Sequence, residues 1–182
     1  MVTNTRANRG FSLTELMLVV AVLGTIAAIA APVLTDVTGS IKLSQAARTV
    51  ERELQDARLR AVSSNRILRV RTNCPTPGTI RTVEVLNTSA DNASNRCDVR
   101  VYPFPAADDD VVTRPNYDGP VRLLPESAVV GTHVIEFQPN GTARIVVSNT
   151  ATTITTPIAV AVTRKSVSKT ITVNGAGKIQ LQ

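Results

Sequence analysis

The chain of 182 residues carries 20 Lys+Arg against 14 Asp+Glu, a formal net charge of +6, and a basic balance of that kind attracts phosphate in a salt-dependent way. Aromatic residues make up only 3%, so stacking platforms for single-stranded nucleic acid are nearly lacking. A lone histidine, no phosphate-binding glycine loop and no nucleophile with an identifiable base argue against catalysis, and a non-enzyme without a cofactor is expected.

The first segment, 1–10, is polar and carries Arg6 and Arg9. It leads through Gly10-Phe11-Ser12-Leu13-Thr14-Glu15 into residues 16–34, which hold no charged side chain. That run is close to the roughly 20 residues needed to cross about 30 Å of hydrocarbon as a helix, so one membrane span is expected. A secretory signal peptide has its cleavage site after the apolar run. Here the candidate processing point, Gly10-Phe11, precedes the run, so cleavage removes the leader and keeps the helix. The arginines before the run and Asp36 after it place the leader in the cytoplasm and the bulk of the chain on the other side. An acid costs roughly 2.5–3.5 kcal/mol at the bilayer centre. Taken alone, Glu15 reads as an interfacial acid favoured by the positive end of the helix dipole. Pro32 removes one backbone hydrogen bond and is expected to bend the helix. Gly24, Thr25, Ala27, Ala28, Ala30 and Ala31 allow close approach of another helix.

This entry resembles the N-terminal signature of the type IV pilin and pseudopilin superfamily: Gly, an aromatic residue, Ser or Thr, Leu, any residue, Glu. Gly10, Phe11, Ser12, Leu13 and Glu15 match it position by position, and Pro32 falls where these proteins commonly have a helix-kinking proline. The resemblance implies that an inner-membrane prepilin peptidase cleaves after Gly10 and methylates the new N-terminus at Phe11. It also implies that Glu15 pairs with the N-terminus of a neighbouring subunit, neutralising two charges in an apolar filament core.

Further on, Leu43, Ala47, Val50, Leu54, Ala57 and Ala61 recur in alternating steps of four and three, the seam of an amphipathic helix. Arg52, Asp56 and Arg60 stand four apart on its wetted side, each pair worth a few tenths of a kcal/mol. One long helix over 13–63 is expected, with Gly39 and Ser40 as a candidate soft spot between a membrane-embedded half and a half packed on a soluble head.

From Ile67 onward, short runs rich in Val, Ile and Thr alternate with Pro, Gly, Asn and Asp. They predict strands at 66–72, 80–86, 98–102, 133–137, 143–148, 158–162 and 169–173. Pro139-Asn140-Gly141 signals a hairpin, because Asn-Gly supplies the positive φ angles of a tight turn. Residues 106–120, with Asp108, Asp109 and Asp110, read as an exposed loop. The expected architecture is α+β: a cleaved leader 1–10, a transmembrane and filament-core helix 11–38, and a soluble head 39–182. The head comprises an amphipathic helix 39–63 and a β-rich region 64–182, enough chain for one domain.

The closing sequence adds a second resemblance. Ile135-Glu136-Phe137-Gln138-Pro139-Asn140-Gly141-Thr142-Ala143, followed by Lys169-Thr170-Ile171-Thr172-Val173-Asn174-Gly175-Ala176-Gly177-Lys178-Ile179, is similar to the end of the GspH/FimT group of minor pilins and pseudopilins. In that group an apolar strand ends in Phe, a Gly turn follows, and a last strand closes on Gly, a basic residue and an apolar one. The implied fold is a long kinked N-terminal helix packed on an antiparallel β-rich head.

Cys74 and Cys97 lie in the part expected outside the cytoplasm, where an oxidising compartment favours a disulfide over two free thiols. Without a nearby His or a CxxC spacing they make a poor zinc site. Arg58, Arg60, Arg66 and Arg69 follow one another without an intervening acid, and Lys178 belongs to a second basic group with Arg164, Lys165 and Lys169. Arg58, Arg60, Arg66, Arg69 and Lys178 are the candidate DNA contacts, although a solvated face or contact with acidic pilin neighbours explains the same charges and is favoured. His133 opens a strand and reads as a structural or surface residue. Asp108, Asp109 and Asp110 lack the ligand spacing and Gly of a calcium loop. Two functions compete. One is a non-catalytic minor pilin or pseudopilin that assembles with other pilins at the inner membrane into a type IV pilus or a type II secretion pseudopilus. The other is a filament-borne DNA-binding pilin for uptake.

Overall fold

The computed structural model describes residues 12–85, 87, 97 and 117–182, except for the side chains of 30–35. The leader 1–10, Phe11, the side chain of Pro32, the strand expected at 98–102 and the Asp108–Asp110 cluster lie outside the described residues. The chain divides into two compact units, Met1–Ser40 and Ile41–Gln182, and the helix α1 (Leu13–Ser64) runs through the division.

In the first unit, Ser12 opens α1. Its carbonyl accepts hydrogen bonds from the backbone N–H groups of Glu15 and Leu16, both at 3.1 Å, which makes Ser12 the N-cap residue. The helix then presents apolar side chains to the exterior on every side. Among the described residues no helix is long and apolar enough to cross a membrane; the side chains of 30–35, which belong to the expected span 16–34, are not among them.

The second unit is built on the later turns of α1. Leu43, Ala47, Val50, Leu54, Ala57 and Ala61, the seam read from the sequence, are each exposed by 2% or less. Four alanines on this side, Ala46, Ala47, Ala57 and Ala61, are fully buried, so the helix axis lies close to the strands it covers. Asn65, at φ 54, ends the helix. Its N–H donates to the Val62 carbonyl and that of Arg66 to the Ala61 carbonyl, the pair of bonds that defines a Schellman cap with Asn in the usual glycine place. The cap holds the chain out of extended geometry, so the first strand opens at Leu68 rather than at the expected residue 66.

The strands are β1 (Leu68–Thr72), β2 (Thr79–Glu84), β3 (Arg122–Leu123), β4 (Ala128–Val129) and β5 (Val134–Phe137). They continue with β6 (Ala143–Val147), β7 (Thr150–Thr153), β8 (Ile158–Arg164), β9 (Val167–Val173) and β10 (Ile179–Leu181). They form a six-stranded sheet in the order β3-β2-β1-β5-β6-β7 and a four-stranded sheet in the order β10-β9-β8-β4. β1 lies antiparallel to β5 with Leu68 opposite Phe137 and Val70 opposite Ile135. Residues directly opposite share a face, and these four join the helix seam in the core, with Val160, Val162, Ile171 and Val173 contributed by the second sheet.

β3, β4, β7 and β10 had no counterpart among the expected strands. β3 and β4 are two residues long. β7, Thr-Ala-Thr-Thr, has no apolar alternation because it is an exposed edge. The Pro139-Asn140-Gly141 turn joins β5 to β6, but only Gly141 takes a positive φ, 81°. Gly141 donates its N–H to the Gln138 carbonyl at 2.9 Å and Gln138 donates to Thr142 at 2.9 Å. The loop is therefore a β-turn followed by one left-handed residue, not the two-residue turn that Asn-Gly suggests. That tighter turn occurs instead between β6 and β7, where Ser148 and Asn149 have φ of 47° and 66°.

Candidate functional site

The first turns of α1 combine one acid with an apolar surface. Glu15 is the third residue of the helix and exposed. Around and beyond it Leu13 is 72% exposed, Met17 66%, Leu18 66% and Ile29 73%. Leu16, Met17 and Leu18 are successive, and at 3.6 residues per turn they point in three directions, so the apolar surface surrounds the helix. A Cβ added at Gly24 would meet nothing within 4 Å. This surface lacks an opposing partner among the described residues, and every Å² of it removed from water is worth about 25 cal/mol. Gly10 and Phe11, the expected processing point, lie outside the described residues, as does the side chain of Pro32.

The two closing segments that carry the second resemblance meet in the head. Asn174 shapes the β9–β10 turn: its N–H donates to the Lys178 carbonyl at 3.1 Å, and its side-chain oxygen accepts the Lys178 N–H at 2.9 Å. Gly177 donates to the Asn174 carbonyl and sits at φ 75°. This turn packs directly on the β5–β6 turn. From the helix, Arg58 reaches between them, its Nε donating to the Gly141 carbonyl at 3.1 Å and its terminal nitrogen to the Ala176 carbonyl at 3.4 Å. A Cβ on Gly177 would stand 2.1 Å from the Gly141 oxygen and 2.8 Å from the Arg58 Nε. The glycines of the motif are there because backbone and guanidinium fill the space of a side chain. Sequence reasoning missed Arg58 as the tie between both turns and the helix. The signal was the recurrence of Gly at both turns, without any hint of which cation they receive.

The five candidate DNA contacts fall in different settings. Arg58 is committed to the two turns. Arg66 donates to Glu84 at 2.5 Å, and the same carboxylate accepts the Tyr117 N–H at 2.9 Å. Arg69 lies across from Glu136 on the strand pair β1–β5 and donates to it at 2.5 and 2.8 Å, with both residues buried. Arg60 is exposed, 3.4 Å from Asp56, and its guanidinium lies 4.3 Å from the centre of the Tyr117 ring. Burial pushes the Tyr117 phenol up from its ordinary value, with Arg60 acting in the opposite sense. Lys178 is exposed. Three of the five thus hold the head together, and of these five only Arg60 and Lys178 face solvent.

Cys74 and Cys97 form a disulfide with a Cα–Cα distance of 5.0 Å. Closing a loop of 23 residues contributes about 3 kcal/mol in the chain-entropy account. His133 is half-buried; its backbone N–H donates to Thr72 Oγ1 at 2.8 Å and its Nε2 lies 3.1 Å from the Val130 carbonyl, a setting between two strand ends. Among the described residues there is no group of three or more His, Cys, Asp or Glu that could hold a metal ion.

A last cluster was not legible in the sequence. The carboxylate of Glu126, at φ 47°, is held by Lys42 from α1 and by Arg164 from the end of β8. Hydrogen bonds from these two cations lower its pKa from 4.5 to about 2.

Two protein families match the chain. The prokaryotic N-terminal methylation motif matches residues 5–31, and the type II transport protein GspH matches residues 46–177. Among solved structures, two crystal forms of the type IV minor pilin FimU of Pseudomonas aeruginosa (strain PAO1) are similar at 19% identity. In one the likeness covers 77% of this chain and 92% of that chain with a TM-score of 0.42. In the other it covers 80% and 91% with a TM-score of 0.45. A comparison with curated proteins gave no match.

Proposed function

Because this chain belongs to the type II transport protein GspH family, within the type IV pilin-like group of minor pilins and pseudopilins, we propose that it is processed, N-methylated and built into a filament through α1. The observation that carries this reading is the exposed apolar surface around α1 with an acid, Glu15, in its first turn. Cleavage after Gly10 creates a cationic amine at Phe11, one helical turn before Glu15. In a lone subunit both charges need water or headgroups. In a filament each finds its opposite on a neighbour, so that the apolar surface is buried without stranding a charge.

The division of labour is then a leader 1–10, a membrane and filament-core helix 11–38 around Pro32, and a head 39–182 that faces the periplasm or the exterior. The partners are a prepilin peptidase, the inner membrane and other pilins or pseudopilins. The role is structural and non-catalytic, in a type IV pilus or a type II secretion pseudopilus. Mass spectrometry of the chain isolated from cell membranes tests this: the expected N-terminal peptide begins at a methylated Phe11. A mature chain that retains Met1 overturns it.

A further inference from the structure

We propose that the tip of the β8–β9 hairpin, together with Lys42, docks the head onto an anionic phospholipid surface while the subunit waits in the membrane; this inference rests on the membrane residence proposed above. The tip reads Arg164-Lys165-Ser166-Val167-Ser168-Lys169. Arg164 pairs with Val167 and Val162 with Lys169, so Arg164, Val167 and Lys169 share the face of the core residue Val162. Glu126 receives both Arg164 and Lys42, which sets the tip beside Lys42, where the chain enters the head. Arg164 keeps a further donor, its buried Nε, with no acceptor among the described residues.

Lys42, Arg164, Lys165 and Lys169 therefore lie around the Glu126 carboxylate at the end of the head where the chain enters it. The stretch from Leu34 to Lys42 reaches at most ~30 Å even fully extended. Next to the two-residue turn Lys165-Ser166 stands Val167, the first residue of β9, 59% exposed and flanked in sequence by two serines and two lysines. That arrangement suits a lipid headgroup region: lysines extend to phosphates while an apolar residue enters the boundary with the acyl chains. Duplex DNA rewards a row of cations along a backbone and gives nothing for the apolar side chain, and contact with another pilin is separated by the test below.

The chain has no tryptophan, so Val167→Trp in the full chain reports on this site alone. The variant is reconstituted into nanodiscs of phosphatidylglycerol or of phosphatidylcholine, and its emission and quenching by brominated lipids are read. The expected result is a blue-shifted, quenched emission in phosphatidylglycerol that is lost in phosphatidylcholine and at high salt. Each lysine near an anionic surface contributes about fivefold to binding. Adding Lys165→Gln and Lys169→Gln should therefore reduce the docked population on the order of tenfold or more. Water-like emission in an inserted chain, equal emission in both lipids, or a change appearing only on addition of duplex DNA or another pilin overturns the docking alone. A chain that fails to insert in either lipid overturns the membrane residence as well.

Discussion

A single carbon added at Gly177 would press on two unyielding neighbours, the Gly141 carbonyl at 2.1 Å and the Arg58 Nε at 2.8 Å. The backbone there is also left-handed, φ 75°, which costs a residue with a Cβ roughly 1–2 kcal/mol. Overpacking adds a further ~1–3 kcal/mol, so Gly177→Ala is expected to lower head stability by roughly 3 kcal/mol or more, about 10 °C in melting temperature. Gly24→Ala, set in open space, should leave the melting of the head unchanged. Thermal denaturation of both variants checks the contrast, and an unaltered melt for Gly177→Ala would show that the two turns can part. Arg69 illustrates the opposite case, a charged residue in the interior. Removing Glu136 would leave a buried guanidinium without its carboxylate, a change that typically costs 3–5 kcal/mol.

At the scale of elements, Glu126 joins the start of the head helix to the β8–β9 hairpin through Lys42 and Arg164. Its carboxyl is depressed from 4.5 to about 2 in the folded chain. The stabilising contribution is therefore fully present above about pH 4.5 and fades as the pH falls toward 2. Glu126→Gln should lower the melting temperature slightly at pH 6, with the gap to the unmodified chain closing by pH 2 and narrowing in high salt. A gap that persists at pH 2 would mean that the carboxylate charge is not what links these elements. What the sequence revealed at this scale follows from periodicity. The seam from Leu43 to Ala61 stands out because the helix buries one stripe against two sheets, and β1, β5, β6, β8 and β9 because their branched residues recur between turn formers. β7 was invisible because an exposed edge imposes no alternation on Thr150–Thr153. The arginines were misleading for a related reason: Glu84 and Glu136, which receive Arg66 and Arg69, are distant in sequence, and spacing carries no trace of such pairing. Asn65 did carry a signal, since Asn tolerates the left-handed position of a helix cap.

For the whole molecule, two different requirements are distributed along one helix. Its later turns are filled with alanines that let strands pack closely, while its first turns leave Leu13, Met17, Leu18 and Ile29 uncovered. Glu15→Ala should keep insertion in the membrane, with a gain well below the roughly 2.5–3.5 kcal/mol that an acid costs at the bilayer centre, because Glu15 stands in the first turn. The same variant is expected to reduce co-purification with filaments by tenfold or more, since the charge proposed to select a neighbour is gone. Fractionation of membranes and sheared filaments measures both; equal recovery in filaments would refute the charge pairing. The seam made the packing role of the later turns legible in advance, and the Gly10–Glu15 motif supplies the role proposed for the first turns. The convergence of the closing motif on Arg58 was not, because it depends on which turns the fold brings together.

The disulfide between Cys74 and Cys97 gives the head a different worth on each side of a membrane. Both cysteines follow the helix in the chain, and a reducing cytoplasm keeps thiols apart. A head lingering on that side would lack about 3 kcal/mol, a sizeable share of the 5–15 kcal/mol that holds a typical domain folded. On the proposed side, outside the cytoplasm, oxidation closes the loop and folding becomes harder to reverse. For a head exported as proposed above, the one bond therefore separates two states of the same chain, a looser precursor before oxidation and a stiffened head after it.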